Sequence, residues 1–134
     1  MSERGSITLW MVGLVMVVFA VGGLAIDLWR GLAAHRQVAA VVDSAAIAAG
    51  SGIDEPAWRT TGELSLDPAR VGQLVAAVGA GSESAVTLRV SVAGDGSTAS
   101  VEGATTVDLT LLRILTDGPL EITARAAVVP VLSP

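Results

Sequence analysis

The chain has 134 residues, 51% of them hydrophobic, and thirteen acidic against eight basic side chains give a formal charge of −5. All eight bases are arginine, lysine, asparagine, tyrosine and cysteine are absent, and His35 is the sole histidine. This inventory excludes a P-loop lysine, a Schiff base, disulfides, thiol nucleophiles, zinc ribbons and glycosylation sequons, and the acidic balance argues against nucleic acid as a partner, since phosphates are neutralised by arrays of Lys and Arg.

The apolar residues concentrate near the start. Residues 7–26, ITLWMVGLVMVVFAVGGLAI, carry no charge and are flanked by Glu3 and Arg4 on one side and Asp27 and Arg30 on the other. At a rise of ~1.5 Å per residue this stretch spans ~30 Å, the hydrocarbon thickness of a bilayer, so it reads as a membrane helix. A cleaved secretory signal fits less well: its apolar region usually runs ~7–15 residues behind a basic leader, and here a single Arg4 precedes a longer run. Charge counting leaves the orientation open. The N-terminus is expected in the cytoplasm, because the first five residues are too few to form a domain and all fold content follows the helix.

Helical periodicity continues past the membrane segment. Leu28, Leu32, His35, Ala39, Val42 and Ala46 recur at spacings of four and three, and residues 33–49 are rich in alanine with no proline or glycine. One helix of residues 7–49 is expected, ~65 Å long, with about half projecting from the bilayer. Gly23, Asp27 and Gly31 fall on one face and suit close helix packing. The stripe through Leu32, Ala39, Val42 and Ala46 requires a partner surface. Asp27 and Arg30 are expected to pair at the membrane edge. His35 reads as a helix residue without a catalytic role, having no second histidine, cysteine or acid cluster beside it.

Gly50-Ser51-Gly52 ends the long helix, and Asp54-Glu55-Pro56 begins a short turn. Trp58, large and apolar in a chain poor in aromatics, is expected to anchor the core. Asp67 can cap a second helix, Pro68 fits its first turn, and Val71, Leu74, Val75 and Val78 supply its apolar face before Gly79 and Gly81. From Ala85 the period becomes two: Val86, Leu88, Val90 and Val92 share one face, Gly94-Asp95-Gly96-Ser97 makes a turn, and Ala99, Val101, Gly103, Thr105 and Val107 return. With Ala93 opposite Thr98, Arg89 stands opposite Glu102. Residues 109–115 have helical Leu/Ile spacing and read as a short connection closed by Asp117-Gly118-Pro119. Leu120, Ile122, Ala124 and Ala126 then form a third strand. The core of the head is expected from Trp58, Val71, Leu74, Val90, Val101 and Ile122.

Gly94-Asp95-Gly96-Ser97-Thr98-Ala99 matches a G-x-G-x-x-A pattern, but a phosphate loop runs from strand into helix and here a strand follows. Asp54, Glu55 and Asp95 lack the spaced oxygens of a calcium loop. The spacing places no pair of carboxylates for acid and base catalysis. No cofactor, metal or enzymatic activity is expected.

Arg4-Gly5-Ser6 before the membrane helix, Gly23-Leu24-Ala25-Ile26-Asp27-Leu28 at its end, Arg36-Gln37, and Asp43-Ser44-Ala45-Ala46 resemble the N-terminal region of TadE/TadG-like proteins of the Tad (Flp) pilus system, over residues 4–52. Leu66-Asp67-Pro68-Ala69-Arg70 and Ala124-Arg125-Ala126 look like short members of that family from high-GC bacteria. The resemblance implies a minor pilin-like or assembly component acting with pilin-like subunits, platform proteins and a secretion ATPase. It also implies prepilin processing between Gly5 and Ser6. Trp10, however, stands where processed members carry a Glu, which favours an uncleaved, membrane-resident protein.

The expected fold class is therefore α+β, with a cytoplasmic N-terminus (1–6), a membrane helix (7–26), its extracytoplasmic continuation (27–52), and a head (53–134) of one short helix and about three antiparallel strands packed on the projecting helix. The expected role is helix packing and protein contacts in a pilus or secretion assembly at the cell membrane. A membrane-tethered module that binds a ligand or envelope polymer in a pocket near Trp58 is the alternative.

Overall fold

A computed structural model describes residues 3–112 and 118–131. Its elements are α1 (Glu3–Gly50), α2 (Glu55–Thr61), α3 (Pro68–Gly81), β1 (Thr87–Val92), β2 (Ala99–Val107) and β3 (Leu120–Val128), an α+β arrangement around a three-stranded antiparallel sheet of order β1-β2-β3.

The two halves of α1 meet different surroundings. The N-terminal half is long and apolar enough to cross a bilayer, and none of its apolar window is buried within the molecule. A core helix of a soluble domain would be covered, and the uncovered surface here is compatible with a membrane anchor. In the C-terminal half Val38, Val42, Ala45, Ala46 and Ala49 are buried and form the core with Leu66, Val71, Val75, Ala99 and Val101. The 4-3-4 spacing of Val38, Val42, Ala45 and Ala49 puts them on one face, against β2, β3 and α3.

That face is rotated about one residue from the stripe expected from the sequence. Leu28 and Leu32 are 70% and 49% exposed, and His35 is exposed. The expected stripe and the covered face share Val42 and Ala46, but the sheet lies on the side of Val38, Ala45 and Ala49 and not on that of Leu28, Leu32 and His35. At Gly103 in β2 a Cβ would collide with the Val42 side chain, which shows how close the strand comes.

Local chemistry accounts for the remaining elements. The Asp54 carboxylate accepts from the Ala57 N–H to cap α2, and the turn expected at this point extends to two turns of helix. Asp67 accepts from the Ala69 N–H to cap α3, and Pro68 occupies its first turn. The hairpin takes the register predicted from its turn: Ala93 N–H donates to Thr98 O, and Arg89 stands opposite Glu102. In β3, Arg125 stands opposite the same Glu102. The tip of the hairpin is tied to the loop before α3 through Leu66 N–H to Gly96 O, with Gly96 at φ +69°.

Trp58 is corrected. It is 41% exposed, and α2 contains no buried residue. The space between α1, α3 and the sheet is already filled by Val, Ala and Leu66, so α2 lies on the outside and its tryptophan lines a surface depression with Ile53 and Val131. Of the other expected core residues, Val71, Val101 and Ile122 are buried, whereas Leu74 and Val90 are half-buried. The expected connection at residues 109–115 is described only as far as Leu112, and Asp117 also lies outside the described residues.

Val42→Asp buries an unpaired charge against the sheet and is expected to destabilise the head by more than about 3 kcal/mol. Gly103→Val, which overfills the same contact, is expected to cost about 1–3 kcal/mol. Denaturant unfolding of the detergent-solubilised chain measures both, and unchanged midpoints would refute the packing of the sheet on α1.

Candidate functional site

Where the apolar half of α1 gives way to the half that carries the head, one charged side chain is taken out of water. Asp27 is 1% exposed, and both its oxygens are engaged by a loop that follows β2. Oδ1 accepts from the Thr110 N–H at 2.9 Å, and Oδ2 accepts from the N–H groups of Leu111 and Leu112 at 2.6 and 3.0 Å. Successive backbone amides converging on one carboxylate reproduce the anion-binding geometry of a helix N-terminus. The Thr110 N–H, followed by those of Leu112 and Leu111 and the Thr110 side chain, holds the Asp27 carboxyl below its ordinary value, although burial pushes the other way.

Two neighbours complete this clasp. One turn earlier, a Cβ at Gly23 would collide with Leu111, so the missing side chain is the seat of that leucine. One turn later, Arg30 donates to the Thr110 hydroxyl at 3.0 Å. The ion pair expected between Asp27 and Arg30 is therefore replaced. An exposed pair three residues apart is worth a few tenths of a kcal/mol, whereas charge-assisted bonds to backbone amides are directed and strong.

The small-residue face expected to receive another helix is thus covered, at Gly23 and Asp27, by a loop of the same chain. Gly31 is half-buried on this side of α1, but a Cβ there would meet nothing, so it is not a point of close approach. Farther along, Ala39 is half-buried and Val42 and Ala46 are buried under the head, while Leu32 faces outward. Gly5 and Ser6 lie in the first turns of α1, with Ser6 exposed. Thr110, Leu111 and Leu112 were not legible as site residues. The available signal was Asp27 itself, a lone charge on a face of glycines.

Two other surface features could receive a partner. On the outer face of the sheet a shallow depression of about 250 Å³ is lined by Arg89, Glu102, Glu121 and several threonines. Beside Trp58 a second, of about 290 Å³, is lined by Glu55, Arg59 and Arg70, and both guanidiniums are paired with Glu55 at 3.3 Å. Among the described residues no group of three or more His, Cys, Asp or Glu side chains is placed to hold a metal ion.

Residues 5–52 match the family described as "Putative Flp pilus-assembly TadE/G-like". The matched stretch takes in almost all of α1, including Gly23, Asp27 and the buried face from Val38 to Ala49, and stops before the elements of the sheet. No curated protein and no solved structure matches the chain.

The pH dependence of the clasp follows from the lowered pKa of Asp27. Its stabilisation is complete above the ordinary aspartate value of about 3.9 and is lost as pH falls through the lower value of the folded state. Asp27→Asn is therefore expected to lower the thermal midpoint at pH 7, and the gap to the wild type should close below about pH 4. Gly23→Leu improves helix propensity yet unseats Leu111. Faster hydrogen exchange at the amides of Thr110, Leu111 and Leu112 is the expected result, and unchanged protection would refute the seat.

Proposed function

We propose that this chain is a membrane-anchored, non-catalytic component of a Tad/Flp-type pilus assembly system. It presents a small head on a helix and works through contacts with other subunits. The observation that carries this reading is the coincidence of the family match, residues 5–52, with a helix whose first half is uncovered and apolar and whose second half is the spine of the head. The reading puts the N-terminus in the cytoplasm and the head outside.

Partners of this kind are other pilus-system subunits, and two exposed parts of the chain are available to them. One is the outward side of α1, with Leu28, Leu32 and Ile47. The other is the polar outer face of the sheet. Trp10 at the position of the processing glutamate supports a protein that keeps its first residues and stays in the membrane. The tethered binding module has less support, because the arginines beside Trp58 are engaged by Glu55.

After affinity isolation from native membranes, the chain is expected to resist alkaline extraction, to carry an intact N-terminus by mass, and to bring other pilus-system components with it. Loss of residues 1–5 would overturn the uncleaved reading. An isolate with no pilus-system component, from cells that assemble the pilus, would overturn the functional one.

A further inference from the structure

We infer that the 110–112 loop of the head enters the lipid interface beside α1, so that the chain meets the bilayer at two elements and not at the helix alone. The inference rests on the membrane reading of residues 7–26. Leu111 is seated on Gly23, which lies three residues inside that span, so its side chain reaches ~4.5 Å below the end of the apolar run.

A non-helical segment at that depth is stable only if its backbone polar groups find partners within the protein. Here the amides of three successive residues are satisfied by Asp27, and the same bonds satisfy the carboxylate. Neither set could stand alone in an apolar medium. The helix surface beside the loop has the composition of an interface: Trp29 is 72% exposed, and Arg30, at the next position, extends its guanidinium to Thr110. Tryptophan ring and arginine head are the side chains that settle where hydrocarbon meets water.

The chain has no cysteine, so single cysteines can carry nitroxide labels in the full chain reconstituted in phosphatidylcholine–phosphatidylglycerol vesicles. Labels at Leu112→Cys and Thr110→Cys are compared with Val17→Cys in the span and Ser97→Cys at the hairpin turn, reading relaxation by oxygen against an aqueous nickel chelate. The loop labels are expected to lose contact with the chelate relative to Ser97 and to gain contact with oxygen, at a shallower depth than Val17. Adding Asp27→Ala is expected to return both loop labels to water while Val17 stays in lipid. Loop labels as accessible to the chelate as Ser97, with Val17 in lipid, overturn the loop's insertion and leave the membrane reading intact. A Val17 label in water overturns both. Loop labels that stay in lipid with Asp27→Ala overturn the role of the carboxylate.

Discussion

A carboxylate removed from water must be met by donors, and Asp27 is met by three backbone amides, the first of them 83 residues away in sequence. This bond set pins the chain leaving β2 to the point on α1 where the apolar half ends. At the other end of the sheet Val131 N–H donates to Gly50 O, and Val128 packs against Gly50. Held at both ends, β2 and β3 lie along the helix between Asp27 and Gly50, so the head is a sheet laid on an existing rod.

The rod can carry the sheet because its covered face is made of small side chains. Val38, Val42, Ala45, Ala46 and Ala49 present little bulk, and Gly103 meets Val42 where any side chain would obstruct it. Close approach maximises dispersion contact per residue, which matters in a chain with one phenylalanine and no tyrosine. It also explains why the large apolar groups, Leu28, Trp29, Leu32, Ile47 and Trp58, remain outside. A core built for proximity leaves no volume for them.

Elements governed by neighbouring residues were readable. The Asp67 cap and Pro68 start of α3, the period-two strands and the hairpin register with Arg89 opposite Glu102 all follow from spacing and turn chemistry, and the structure has each of them. The buried face of α1 is displaced by about one residue because positions 38 and 39, and 45 and 46, are all apolar, so periodicity does not choose between two overlapping stripes. Trp58 was misplaced for a related reason: size predicts burial only where a cavity of that size exists.

The sequence by itself determined the long apolar helix, α3, the three strands and the poverty of reactive side chains, since these depend on residues within a turn or two of one another or on composition. Only the tertiary structure decided which face of α1 is covered and what answers Asp27. Both depend on groups distant in sequence and on how closely two backbones can approach. A lone aspartate among glycines marked the place, but backbone amides carry no sequence signature, and their convergence exists only once the loop has been folded back onto the helix.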